Sequence, residues 1–334
     1  MAFYQGVKIL FCQFGLASNK KEILPIWPGK IDVPSLLTDF HEILANDWPK
    51  GLADAYIFIL DSKNLKPRYV NQGNYWYFEG PFLELAKQTS DRRFTFWGNQ
   101  GFLYRLTLSS LEKNHHVYSF HACGLVDESG KKLIVVAGGA GSGKTVYLLS
   151  GLRLGYKLFS TETVHFRLVG NEVEWFMGSL VDNIRLGTLR HHFPEFLPSE
   201  FENNLGWTKE WQQKVAIDLS AYKFTSTTLR SPECWLIFPH IEEGWESYQL
   251  NEISDQRVAA RILFNNITEK IANSFILYDA LALTGFDSPT MALSRLEILI
   301  KLLSHSKTRN PIEILANPKE CWRPILESRI GQEL

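Results

Sequence analysis

The spacing of apolar positions changes character along the chain. Up to about residue 100, apolar and aromatic residues come in short runs. They are Tyr56-Ile57-Phe58-Ile59-Leu60, Tyr75-Trp76-Tyr77-Phe78 and Arg93-Phe94-Thr95-Phe96-Trp97. Asn71-Gln72-Gly73-Asn74 and Gly80-Pro81 separate them, so the spacing predicts strands joined by turns. Gly6 to Phe14 alternates well enough for a first strand, and residues 33–44 have helical spacing. Such aromatic density suits a carbohydrate or peptide groove, but aromatics are also good strand residues and plain sheet packing is the stronger expectation.

From Phe102 to Lys113 apolar residues recur at helical spacing, which reads as a connector. Val117 to Val126 is then a strand, Asp127 to Lys132 a polar turn, and Leu133-Ile134-Val135-Val136-Ala137 a buried strand. Two strands joined so tightly must be antiparallel neighbours. Thr145 to Leu152 is helical and stops at Gly155, and Tyr156 to Ser160 is a short strand ending in Thr161-Glu162-Thr163. Val164 to Val169 and Val173 to Phe176, hinged on Gly170-Asn171, form a hairpin. Cys234 to Pro239 is another buried strand, and the C-terminal third reads as helical over Asp255 to Leu283, Thr290 to Leu303 and Lys319 to Arg329. The hairpin argues against a doubly wound parallel sheet and for a mixed one. The fold class is therefore α/β of the mixed α+β kind. Two domains are expected: a mixed, strand-rich one over residues 1–104, and a larger one over 105–334 with a helical C-terminal region.

Composition narrows the functional classes. Of 334 residues 45% are hydrophobic and 21% charged, enough for a sizeable core. A net charge of −1 gives no general reason to expect nucleic acid or an anionic membrane as partner. No stretch approaches the roughly 18 apolar residues of a membrane span. Cys12, Cys123, Cys234 and Cys321 are far apart and form no metal-ligand pair, which suits a reducing, cytoplasmic setting. His191-His192 with Glu195, and His115-His116, read as surface groups.

The chemistry concentrates between the buried strand and the helix. Gly138-Gly139-Ala140-Gly141-Ser142-Gly143-Lys144-Thr145 matches G-x-x-x-x-G-K-[ST] in strand–loop–helix context. Such a loop turns successive backbone N–H groups and a helix N-terminus toward one polyphosphate. Lys144 is expected at the β/γ-phosphates and the Thr145 hydroxyl on Mg²⁺. Glu162, in register with the loop, is the candidate base or second metal contact, with His121 beside it. Asp182 and Arg185 are candidates for a metal contact and a phosphate clamp, with an ordinary surface ion pair as the alternative. ATP and Mg²⁺ are the expected cofactors. No apolar run ending in Asp-Glu, no guanine-reading Asn-Lys-x-Asp and no Leu-Ser-Gly-Gly follows the loop, so transporter, helicase and GTPase classes fit poorly.

His121, the antiparallel strands, the loop, and Gly155 eleven residues after Lys144 together resemble the HPr kinase/phosphorylase superfamily. That superfamily shares its nucleotide core with phosphoenolpyruvate carboxykinases. Cys234 to Pro239 followed by Glu242-Glu243-Gly244 resembles a later strand and loop of the same kinases. The resemblance covers about residues 105–280 and is strongest over 121–165. It implies that Lys144, Thr145 and His121 take the family's roles. The family's acidic pair falls on Thr161 and Glu162, so its first carboxylate is missing, and Asn183-Ile184-Arg185 faintly resembles a Glu-Ile-Arg segment, again without the acid. The resemblance thus implies an ATP-dependent kinase. It would move the γ-phosphoryl to a serine-type hydroxyl on a small molecule, peptide or protein. A catalytically degenerate nucleotide sensor that engages a protein partner is the alternative, and homo-oligomerisation stays open.

Overall fold

Leu133 to Ala137 are all buried and form a strand, which is therefore covered on both faces. The computed structural model describes residues 1–25, 39–41, 43–49, 51–201 and 207–327, and the helical spacing of residues 33–44 lies largely outside them. The chain divides into two compact units, one of residues 1–118 and 268–292, the other of 119–267 and from 293 onward. Both are mixed α/β.

The first unit is built on six strands: β1 Phe3–Ile9, β2 Cys12–Ser18, β3 Ile43–Asn46, β4 Ala55–Asp61, β5 Arg68–Gln72 and β6 Tyr75–Gly80, in the order β3-β1-β2-β4-β6-β5. The expected strand from Gly6 to Phe14 is instead a hairpin, because Leu10 takes a left-handed φ of 51° and Cys12 turns back to pair with Ile9. Along β4 the alternation buries Ala55, Ile57 and Ile59 and leaves Tyr56 and Phe58 half-exposed. Their rings stack on the cross-strand Tyr75 and Tyr77 at 5.2 and 5.1 Å. The ring faces are thus spent on each other, as cross-strand sheet packing requires. Helix α1 (Phe82–Gln88) follows. Arg93 to Trp97 is not a strand: the Asp91 carboxylate accepts from Arg93 N–H and opens a single 3₁₀ turn, and the carbonyls of Thr95 and Phe96 accept from Phe102 and Leu103. Helix α2 (Phe102–His115) is no mere connector, since Phe102 through Glu112 are buried.

The second unit carries a mixed sheet. In chain order come β7 Tyr118–Val126, β8 Lys132–Ala137, α3 Lys144–Arg153, β9 Lys157–Ser160, β10 Thr163–Val169, β11 Glu172–Phe176, β12 Val181–Arg185, α4 Leu186–His192, α5 Trp207–Gln212, β13 Lys214–Asp218, β14 Thr228–Arg230, β15 Glu233–Ile241, β16 Gln249–Glu252 and α6 Gln256–Ala272. A short hairpin, β17 Phe275–Leu277 and β18 Leu281–Leu283, replaces the expected helix end and belongs to the first unit. Helix α7 (Pro289–Leu303), β19 Ile312–Ala316 and α8 Arg323–Glu327 close the described chain. The sheet order is β14-β11-β10-β7-β8-β15-β19-β16, with β9 also on β7. β8 is antiparallel to β7 and parallel to β15, so an all-parallel sheet is excluded. The hairpin β10–β11 pairs Val169 with Glu172 around Gly170-Asn171. His191 and His192 sit in the last turn of α4, not in a loop, and face Glu210 and Glu243.

Helix α3 packs its buried Tyr147, Leu148, Leu149 and Leu152 into a core with Leu125, Ile134, Val136, Ile237 and Ile314. Its C-terminus is closed by Gly155 at φ +96°, with Gly155 N–H on Leu152 O at 3.0 Å and Tyr156 N–H on Gly151 O at 3.1 Å. This is the paired capping that a left-handed glycine permits. The helix that bears Lys144 and Thr145 is thereby fixed at its C-terminal end. No helix among the described residues is long and apolar enough to cross a membrane.

Candidate functional site

Residues 138–143 leave the end of β8 and turn into α3. Gly143, the residue before the helix, has φ +99°, and a Cβ there would lie 2.4 Å from Ile241 Cγ1. Only glycine fits a position that is both left-handed and enclosed. The Ile241 N–H donates to Ser142 O at 3.1 Å, pinning the loop to the end of β15. Gly139, Ala140 and Gly141 remain exposed, and Gly138, Ser142 and Gly143 are half-buried. Lys144 Nζ donates to Gly138 O at 2.8 Å and Gly139 O at 3.0 Å, so the ammonium is held against the loop it would serve.

Four further side chains converge on the start of α3. Thr145 Oγ1 donates to Asp182 Oδ2 at 3.2 Å, a contact that spans 37 residues of sequence. Asp182 is 2% exposed, on β12. The carboxylate of Glu162, which lies between β9 and β10, acts on it electrostatically. His121 Nε2 on β7 stands 3.4 Å from Glu162 Oε2. The His121 backbone is clamped on both sides by Asn266 of α6, whose Oδ1 accepts from His121 N–H at 2.8 Å and whose Nδ2 donates to His121 O at 3.0 Å. Ala122 N–H donates to Glu162 O at 3.0 Å, which ties the acid's backbone to the strand that carries the histidine.

The two carboxyl groups are pushed apart. Burial and the neighbouring Glu162 charge raise Asp182 to about 8. Burial alone would raise Glu162 too. The His121 hydrogen bond and charge outweigh it, with help from Lys144 and Lys214, and Glu162 stays below the usual carboxylate range. At neutral pH Asp182 is therefore the protonated member of the pair and Glu162 the ionised one, as expected of neighbouring like charges. The side chain of Glu162 keeps 28% of its surface open, so it can meet a molecule from solvent.

Of the sequence-predicted residues, the structure gathers Lys144, Thr145, Glu162, His121 and Asp182 around the loop 138–143. Arg185 does not join them. It is exposed, three residues beyond Asp182 and in register with Lys214, and makes no ion pair among the described residues. Thr161, where the resemblance places an acid, is buried. Its Oγ1 donates to Val181 O at 2.7 Å, which helps hold β12 and Asp182 in place. Lys214 was not singled out in sequence. It acts on both carboxylates because β13 pairs with β12, a pairing of segments about 30 residues apart with no local signature.

Hard oxygen donors beside a phosphate-type loop suit Mg²⁺. Thr145, Asp182 and Glu162 supply that set, and the proton on Asp182 occupies a place where a cation would be better tolerated. Ser142 Oγ, buried in the loop, has no hydrogen-bond partner among the described residues.

No family model matches the sequence, and no curated protein matches it. Among solved structures, the Hpr(Ser) kinase/phosphatase from Coxiella burnetii is similar over 40% of this chain and 77% of that one, at 14% identity and a TM-score of 0.21. A likeness at that level does not establish a shared fold.

Proposed function

We propose that this chain is an ATP-dependent phosphotransferase that moves the γ-phosphoryl group to a hydroxyl acceptor. The observation that carries the reading is the convergence of Lys144, Thr145, Asp182, Glu162 and His121 on one phosphate-type loop. The backbone of 138–145 and Lys144 would hold the polyphosphate, and Thr145 with Asp182 would hold Mg²⁺, whose charge neutralises the phosphate oxygens. Glu162 is the ionised member of the acid pair. Its carboxylate, oriented by His121, accepts the proton of the acceptor hydroxyl as the new O–P bond forms and ADP leaves. Only positioning and charge neutralisation are asked of the rest of the site.

Incubation with γ-labelled ATP and pooled serine peptides, free serine, sugars and polyols tests this reading. Label should pass to one class of hydroxyl and stop doing so in Glu162→Gln. ATP that is bound but never turned over, with every acceptor class, would favour a nucleotide-sensing module instead. One observation supports that second reading: Thr161 spends its hydroxyl on backbone carbonyls where the resembled kinases carry an acid.

A further inference from the structure

The first unit brings together three side chains that are 42 and 61 residues apart in sequence. Cys12 opens β2 just after the β1–β2 turn, Asp54 precedes β4, and His115 ends α2. Their ligand atoms all lie within 4.8 Å of one another. His115 Nε2 is 2.9 Å from Asp54 Oδ1. Far from being a surface group, His115 has a ring only 27% open, while the Asp54 side chain is 9% open and Cys12 is enclosed.

The surroundings hold these groups in place. The Gln13 N–H donates to Asp54 Oδ2 at 2.8 Å, and Asn114 Nδ2 to Oδ1 at 2.7 Å, fixing the carboxylate from outside the cluster. Asp54 N–H returns a bond to Gln13 O at 2.8 Å, so the acid is locked to β2, the strand that carries the cysteine. The Phe11 ring stacks on the His115 ring at 6.1 Å between centroids. His116, at φ +53°, closes α2 right after the histidine. Outer hydrogen bonds of this kind are what orient the ligands of a metal site.

We propose that Cys12, Asp54 and His115 are a zinc site with water in the fourth position. A sulfur, a nitrogen and an oxygen ligand together suit zinc and disfavour magnesium or calcium. With ordinary zinc bond lengths, ligand atoms stand about 3.3–3.6 Å apart, so the sulfur moves in by about 1 Å and the His115–Asp54 pair, now at 2.9 Å, opens slightly. Binding releases the Cys12 proton to solvent, leaves His115 neutral with its proton on Nδ1, and exchanges the His115–Asp54 hydrogen bond for two bonds to the ion. The open edge of His115 is where the water enters. The site would staple the β1–β2 hairpin and the lead-in of β4 to the end of α2.

Cobalt(II) added alone to the metal-stripped full chain tests this directly. A thiolate ligand gives cobalt an intense near-ultraviolet charge-transfer band, which an all-oxygen site such as Thr145, Glu162 and Asp182 does not. The expected result is one such band that saturates at one ion per chain and is displaced by zinc. Cys12→Ser abolishes it, Cys234→Ser leaves it, and His115→Gln, which keeps a donor to Asp54, weakens cobalt binding at least tenfold. Circular dichroism confirms that each variant is folded, and His115→Gln serves if Cys12→Ser is not. A folded wild type without the band, or a band that survives Cys12→Ser, overturns the proposal.

Discussion

Glu162 and His165 lie three residues apart, yet the mouth of the loop and the sheet behind it treat buried titratable groups in different ways. His165, on β10, is enclosed beside the stacked rings of Phe120 and Phe166, 4.8 Å apart, and its Nδ1 meets Ser119 Oγ at 2.8 Å. Burial holds it down to about 3, so it is neutral at every ordinary pH. Asp182 is also uncharged at neutral pH, but burial there acts together with the charge of an ionised, partly open Glu162. The histidine sits among rings that leave it no route to chemistry. The acid pair holds a charge and a proton next to the glycine-rich loop 138–143. Burial alone therefore does not mark a functional group; burial with an open, charged neighbour does.

The largest effect that would break this comparison is at Glu162. Glu162→Gln keeps the shape and removes the charge, so phosphoryl transfer should fall by about 10²–10⁴-fold while nucleotide binding survives. Unchanged turnover in steady-state assays would remove Glu162 from the base role.

Asp182 and His165 should then bend stability in opposite directions. A carboxyl raised to about 8 in the fold contributes stability that is fully present below its unfolded value near 4. That contribution is lost by about 1.4 kcal/mol per pH unit as pH climbs toward 8. Asp182→Asn mimics the protonated acid, so it should raise Tm relative to wild type at pH 8.5 and make little difference at pH 4. Equal effects at both pH values would show that Asp182 does not hold the proton. His165, depressed to about 3, contributes stability that is present above its unfolded value near 6.5. The loss is about 1.4 kcal/mol per unit as pH falls from there toward 3. Denaturant titrations of wild type and His165→Gln between pH 7 and 4 should converge as the wild type weakens. Parallel curves would mean the ring is already solvated.

Smallest of these effects is that of Thr161. Thr161→Val removes one buried hydroxyl that serves Val181 O and should cost about 1 kcal/mol by chemical denaturation. Thr161→Asp should cost more than Thr161→Val, because it aims a carboxylate at carbonyls. A Thr161→Asp protein as stable as wild type would mean that the position opens to the loop after all.

Much of the site's frame was legible in sequence because its signals are local. The run Leu133 to Ala137, the glycines of the loop, Lys144-Thr145 and the hairpin at Gly170-Asn171 each declare themselves within a few residues. What escaped depends on distant pairing or on turns without their usual residues. The β17–β18 turn places Tyr278 and Asp279 at φ 54° and 55° with no glycine or asparagine to announce it, so a helix was expected to run on. The β1–β2 turn hides in the same way behind Leu10. The Asp182–Thr145 contact and the reach of Lys214 exist because β12 and β13 return to the loop, and no local pattern states that. The cluster of Cys12, Asp54 and His115 was hidden for the same reason.

Calorimetric titration of the full chain with Mg-ATP, in wild type and Lys144→Ala, tests the central claim most directly. Saturable one-to-one binding is predicted for wild type. Folded Lys144→Ala should bind about 10²-fold more weakly, because the β/γ charge loses its fixed cation. A folded wild type that takes up no Mg-ATP, or a Lys144→Ala protein that binds it equally well, would contradict the account.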